Sequence, residues 1–277
     1  MSNNPLVAAY KKPALYVSLP SQGKFYENKP NMSVDGELAV YPMTARDEII
    51  TKTPDALFNG EATITLLKSC CPDIEDPKSI PVNDLKVLMT AIRIASYGNQ
   101  MDLDIRCPEC ENINLTGIDL NDVLSKVQKN DTSNILKLNE NFTIELKPYT
   151  LDDRTILQIQ QIKQQKMVSN LVQSEMDDES RNKLFGETFV ELAELTVRLI
   201  KNCIVKVSTN DNITVSDPDQ ILEWLETISK DDYESIRQRV EELSIDPVSS
   251  KFKAKCENCG HAWESEVELD IANFFAG

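Results

Sequence analysis

The residues best suited to chemistry in this chain are four cysteines in two Cys-x-x-Cys pairs, Cys107-Pro108-Glu109-Cys110 and Cys256-Glu257-Asn258-Cys259. Two thiolates separated by two residues on a tight turn can take adjacent corners of a tetrahedral ion, and two such turns complete the tetrahedron. The expectation is one structural Zn2+ ligated by Cys107, Cys110, Cys256 and Cys259. Four thiolates leave no coordination position for water or substrate, so such an ion braces the chain and does not name a reaction. The 145 residues from 111 to 255 lie between the pairs, where a compact zinc ribbon has roughly 15 to 20. One shared ion would therefore make the middle of the chain a large insertion. Two other readings compete: each pair could bind its own metal with outside ligands, or each could be a redox dithiol. His261, the only histidine, could be a spare ligand; the plainer reading is an exposed strand residue. A redox pair would open a helix within a strand-helix-strand unit, a context that neither pair has in this reading.

The flanks predict two equivalent hairpins. Met101, Leu103 and Ile105 alternate with polar residues before the first pair, and Ile113, Leu115 and Ile118 follow it, leading to Leu120. Phe252 and Ala254 alternate with Lys251, Lys253 and Lys255 before the second pair, and Trp263, Val267 and Leu269 follow. A two-stranded hairpin is marginal alone, so metal closure would stabilise both together. The remaining thiols, Cys70, Cys71 and Cys203, read as buried core residues. Seven cysteines with no secretory leader do not resemble a disulfide framework, and the expectation is folding in a reducing cytoplasm.

With 277 residues, 41% of them hydrophobic, the chain can bury a real core, divided between subdomains. A net charge of −16 argues against free nucleic acid or anionic lipid as partners, and no apolar run is long enough to span a membrane. The Lys251, Lys253 and Lys255 row is the local exception, read as a solvated strand face. Catalytic motifs are missing from the sequence: no phosphate loop, dinucleotide fingerprint or nucleophile elbow occurs, and a single histidine leaves little for a triad. Asp152-Asp153, Asp177-Asp178 and Asp231-Asp232 read as caps and solvated helix starts. No catalytic residue and no small-molecule substrate are expected.

The fold class expected is α+β: a zinc-ribbon-like pair of β-hairpins closed by a four-cysteine site, with N-terminal helices and a large, mainly helical insertion. Residues 1–33, rich in Pro, Asn and Ser but carrying Tyr10, Tyr16, Phe25 and Tyr26, read as an extended arm with a turn at Pro20-Ser21-Gln22-Gly23. Its aromatic residues either tuck against their own domain or serve a partner. Residues 34–150 and 246–277 form the core with the composite ribbon, and 151–245 the insertion. Val34 to Tyr41 reads as strand, turn and strand around Asp35-Gly36. Thr44 caps a helix that stops near Leu57-Phe58-Asn59-Gly60, and a further helical segment carries Ile64 and Leu67. Asn83 caps a helix with an apolar stripe of Leu85, Leu88, Met89 and Ile92, left at Gly98. Asp119 to Gln128 is helical, and Phe142, Ile144 and Leu146 mark a strand. In the insertion, Thr150 and Asp153 cap a helix with Ile156, Ile159 and Ile162 on one face. Residues 173–182 read as a loop, Phe185, Phe189, Leu192, Leu195 and Leu199 as a long amphipathic helix. Asp217-Pro218 opens a helix with Ile221, Leu222, Trp224 and Leu225, and Tyr233, Ile236 and Val240 mark the last.

Leu19-Pro20-Ser21-Gln22-Gly23-Lys24-Phe25-Tyr26, Val40-Tyr41-Pro42-Met43-Thr44-Ala45-Arg46-Asp47-Glu48, Leu57-Phe58-Asn59-Gly60 and Ala91-Ile92-Arg93-Ile94-Ala95-Ser96-Tyr97-Gly98, leading to the first cysteine pair, resemble the baseplate hub assembly proteins and hub subunits of T-even-type contractile-tailed phages. The resemblance covers roughly residues 15–150. It implies a non-enzymatic protein acting in assembly of the central baseplate hub, with other phage baseplate hub and tail assembly proteins as partners. The implied location is the host cytoplasm during assembly and then the virion baseplate, and the arm would dock on another hub component. The rival from another class is a zinc-ribbon regulator binding nucleic acid or a polymerase through the Lys251 to Lys255 strand.

Overall fold

The structure, a computed structural model, describes residues 11–52, 60–127, 133–173, 178–246 and 251–266. The chain divides into two compact units, Met1–Asn130 with Asp246–Gly277, and Asp131–Ile245.

In the first unit, strand β1 (Leu15–Ser18) pairs antiparallel with β2 (Glu37–Val40), Val17 opposite Leu38. The hairpin expected within Val34 to Tyr41 is thus corrected: only Glu37–Val40 is a strand, and its partner comes from the segment read as an arm. Val17, Leu19, Leu38 and Val40 are buried, which alternation on one sheet face explains. The turn after β1 forms as the sequence predicts, with Gln22 N–H donating to Leu19 and Lys24 N–H to Ser21. Gly23 sits at φ +73°, a left-handed conformation that demands glycine, and an added Cβ would lie 2.7 Å from Met32 Sδ and displace that side chain. The part of the arm before residue 11, including Tyr10, lies outside the described residues, as do Leu57, Phe58 and Asn59.

Helix α1 (Ala45–Thr51) starts with the capping box that Thr44 predicts: Asp47 N–H donates to Thr44 Oγ1, and Thr44 N–H donates to Asp47 Oδ2 at 2.8 Å. It packs on α2 (Glu61–Cys70), which buries Ile64, Leu66, Leu67 and Cys70. Cys70 and Cys71 are both buried, and burial pushes the Cys70 thiol up to about 12 and Cys71 higher, as expected of inert core thiols. Helix α3 (Val82–Tyr97) packs on β1 and β2 and ends at Gly98, φ 87°. Its start differs from the expected Asn83 cap. Pro81 takes the N-cap position, which removes a donor that the first turn leaves unpaired anyway, and Asn83 is buried within that turn.

That displacement puts Asp84, fully buried, at the centre of a network absent from the sequence reading. Its carboxylate accepts from Ser21 N–H (2.8 Å), Ser21 Oγ and the Tyr26 hydroxyl (2.8 Å), fastening the segment after β1 onto α3. Burial raises the Asp84 pKa to about 6, against the three hydrogen bonds, which favour the charged form.

Strands β3 (Gln100–Arg106) and β4 (Ile113–Asp119) form the first hairpin, and α4 (Leu120–Ser125) follows with Asp119 as cap. The second unit opens with β5 (Ile135–Lys137) and β6 (Phe142–Leu146) and continues with helices α5 (Leu151–Gln173) and α6 (Asp178–Asn202). Then come β7 (Ile204–Thr209), β8 (Thr214–Val215), α7 (Pro218–Leu225) and α8 (Lys230–Leu243). Strands β5-β6-β7-β8 make one antiparallel sheet. Within 151–245 four helices carry most of the residues and β7 and β8 add two short strands, while β5 and β6 precede that stretch, and the chain combines helices with small antiparallel sheets. The sheet's inner residues Ile144, Leu146, Ile204 and Val207 join Ile200, Cys203, Ile221, Leu225, Ile236, Val240 and Leu243 in one core, with Phe142 and Trp224 rings 5.6 Å apart at its margin. Burial raises the Cys203 thiol as well.

The helix caps of this unit form as the sequence predicts, at Thr150 with Asp153, and at Asp217 before Pro218. The buried side of α5 differs. Leu151, Asp153 and Thr155 are buried while Ile156 is exposed, because Asp153 also accepts from Asn202 Nδ2 and turns that face inward. Of the loop expected at 173–182, residue 173 ends α5 and 178–182 lie on α6, while 174–177 lie outside the described residues. Phe185 and Phe189 lie on α6, their side chains outside the description.

Asp84 supplies a pH test. Its pKa is higher in the folded than in the unfolded chain, so its stabilising contribution is complete below about pH 4 and is lost as pH rises through about 6. Urea unfolding should show wild type gaining about 2 kcal/mol relative to Asp84→Asn between pH 7 and pH 4. A flat difference between the two curves would contradict the buried charge.

Candidate metal centre

The second cysteine hairpin is built from β9 (Lys251–Lys255) and β10 (Ala262–Glu266), antiparallel, with Trp263 opposite Ala254. Its Val267 and Leu269 lie outside the described residues. The two hairpins match bond for bond at their tips. Cys107 N–H donates to Asn112 and Glu111 N–H to Cys107; in the second, Cys256 N–H donates to His261 and Gly260 N–H to Cys256. The residue after the second cysteine is left-handed in both, Glu111 at φ 59° and Gly260 at φ 74°. Only a left-handed residue there lets the chain rejoin the second strand in register while both sulfurs point to one side.

The structure brings all four sequence-predicted sulfurs together, each within 4.8 Å of the others. Cys107 Sγ lies 3.7 Å from Cys259 Sγ, and Cys110 Sγ lies 3.6 Å from Cys256 Sγ. Sulfurs on a tetrahedral zinc at about 2.3 Å would stand about 3.8 Å apart, so the cluster could hold such an ion with little adjustment. The first cysteine of each pair, Cys107 and Cys256, is buried; Cys110 is partly buried and Cys259 exposed. Hydrogen bonds from the backbone N–H groups of Cys259 and Asn258 bring Cys256 down to about 6. At Cys259 the backbone N–H of His261 lowers the pKa, but burial and the neighbouring sulfurs outweigh it and raise the thiol to about 12. Four adjacent thiols cannot all ionise without a cation among them, and a divalent ion is the group that would release the remaining protons.

Asn114 is a functional residue that sequence reasoning missed. It is buried on β4, accepts from the Glu257 N–H at 2.9 Å, and donates through Nδ2 to the Asn112 carbonyl at 3.0 Å. One amide side chain thereby ties the second cysteine turn to the first. Asn258 Nδ2 donates in turn to Cys110 Sγ at 3.7 Å. The available signal was an asparagine between two apolar strand residues, Ile113 and Leu115. His261 is exposed and its ring stacks on Trp263, with centroids 6.0 Å apart, outside the sulfur cluster.

Other candidate groups are explained locally. Asp153 and Asp232 accept hydrogen bonds at helix starts, and Asp177 lies outside the described residues. Lys253 and Lys255 are exposed, but strand register sets Glu264 opposite Lys253 and Glu266 opposite Lys251, so a row of acids borders the row of lysines. Among the described residues no helix is long and apolar enough to cross a membrane.

A family model described as T4 bacteriophage base plate protein matches residues 16–276, and the chain belongs to that family. No curated protein and no solved structure matches it. Membership makes this a structural protein of the phage baseplate, with phage structural proteins as its partners.

Asn114→Ala should weaken metal binding by about 10- to 100-fold, read by competition with a chromogenic chelator. Cys256→Ser should abolish tight binding, because three thiolates and a neutral hydroxyl no longer close the site. Unchanged affinity in both variants would show that the sulfurs are not the ligands.

Proposed function

We propose that this baseplate family member works, without catalysing a reaction, in assembly of the central hub of the tail baseplate, through protein contacts on a scaffold closed by one Zn2+. The observation that carries the scaffold reading is the convergence of Cys107, Cys110, Cys256 and Cys259 from two hairpins far apart in sequence. An all-thiolate set is soft and tetrahedral, which suits zinc and leaves no open position for a reaction. The ion would supply only charge and cross-linking, holding both hairpins at once. The net charge of −16 favours protein partners over nucleic acid, and the acids facing the lysine row on β10 weaken the regulator reading further.

The hub assignment rests on the motifs within residues 15–150, two of which occupy structurally demanding places. In one, Ser21 and Tyr26 hold Asp84 and Gly23 makes a left-handed turn, and in the other Thr44 with Asp47 caps α1. Such residues maintain a shape. The protein would be made in the host cytoplasm and carried into the virion baseplate.

Purified protein should contain about one zinc per chain by atomic emission. Quantitative mass spectrometry should find the chain in hub-containing assembly intermediates, and phage encoding Cys110→Ser with Cys256→Ser should accumulate tails stalled before the hub is complete. Recovery of the chain only from peripheral baseplate parts would refute the hub role, and metal-free native protein would refute the zinc scaffold.

A further inference from the structure

Met101, Leu103 and Ile105 on β3 turn inward as their alternation predicts, but the start of β4 is inside out relative to its apolar pattern. Ile113 and Leu115, which alternation alone assigns to the core, are 60% and 66% exposed, while Asn114 between them is buried as the clamp to the second cysteine turn. The two demands cannot both be met, because successive side chains on a strand point to opposite faces. Turning Asn114 inward forces Ile113 and Leu115 outward. The hairpin thus leaves an apolar pair in solvent, and the outward row of β4 continues with Gly117, carrying no charge until Asp119 caps α4.

Neither β3 nor β4 has a second strand neighbour among the described residues, so both outer edges lack a strand partner among them. They are protected unequally. The outward row of β3 carries exposed Asp102 and Asp104, charges that discourage edge pairing, and Arg106, which meets Glu111 at 3.9 Å. The open edge of β4 has no such guard before its last residue, Asp119. Asp104 stands opposite Leu115 and Asp102 opposite Gly117, so the apolar pair is bordered on one side by carboxylates.

We propose that the outer edge and face of β4 form a strand-addition site for an extended segment of another baseplate protein, one whose outward-facing row sets apolar side chains beside Ile113 and Leu115 and a basic side chain beside Gly117. Its backbone would pair with β4, its apolar residues would cover Ile113 and Leu115, and the lysine or arginine on the same face would pass over Gly117 toward the Asp102 carboxylate. A second copy of this chain fits poorly, since pairing β4 with β4 would bring the same acids together on molecules of net charge −16. The inference rests on the scaffold reading, naming one surface through which it acts.

The test uses the full-length zinc-loaded protein and short fluorescent peptides in which every second residue reads valine, valine, lysine, or valine, valine, glutamate, with threonine between. Anisotropy should show binding of the lysine peptide alone, and amide exchange should slow on residues 113–119. Leu115→Lys should weaken binding on the order of tenfold, and Asp102→Lys should weaken it measurably. Each variant is accepted only if zinc content and circular dichroism match wild type. A lysine peptide N-methylated along its pairing edge should fail to bind the unaltered protein, a control that needs no variant. Equal binding of the N-methylated or glutamate peptide, or unchanged exchange at β4, would overturn the proposal. Concentration-dependent dimerisation lost in Leu115→Lys would overturn it in favour of a second copy. If peptide binding is as expected but hub intermediates lack the chain, the hub reading fails and the strand-addition site stands.

Discussion

Four sulfurs within 4.8 Å of one another tie together strands that 145 residues separate, and the arrangement of the first unit depends on that closure. Each hairpin alone has two strands and little buried area, below what independent stability requires. Bringing such distant segments together costs loop entropy, which grows only slowly with length. The intervening unit also lowers that cost by folding on itself: near its start, the Ser133 carbonyl accepts from Arg239 Nη2, on its last helix, at 2.5 Å.

The rest of the first unit is secured by buried polar groups at places where apolar packing alone would allow slippage. Asp84 fixes the turn after β1 to helix α3, and Asn114 fixes one cysteine turn to the other. Both are side chains with several fixed partners, a geometry that selects one arrangement and penalises any other by leaving donors unsatisfied. Asp84 does so at some cost near neutral pH, where burial opposes its charge. The Asn114 clamp has a different cost, the exposure of Ile113 and Leu115, which becomes useful if a partner covers them.

Membership of a phage baseplate family gives this architecture a setting in which rigidity is the product. The chain's reactive groups are thiols, and three of the seven are inert in the cores while four converge at a site that a metal would close. Asp153 and Asp232, one from each of two carboxylate pairs, are committed to helix starts. What remains for interaction is surface: acidic, with local apolar exposure on a hairpin held by the sulfur cluster.

Local structure was legible in the sequence wherever one residue's chemistry decides it. Thr44, Thr150 and Asp217 cap helices because their oxygens lie within reach of the first-turn N–H groups, and the Cys-x-x-Cys turns follow from spacing that any tetrahedral site requires. The convergence of both pairs was legible too, since a lone Cys-x-x-Cys supplies only half a tetrahedron. Pairing between distant strands was not. Strand β2 takes its partner from a segment that composition makes look like an arm, and β6 pairs with β7 across two long helices, a choice no local window contains. The facing of β4 was likewise beyond the sequence, because alternation fixes which residues share a side but not which side turns inward. Asn114 decides that, through a hydrogen bond to a residue that only the folded chain brings near.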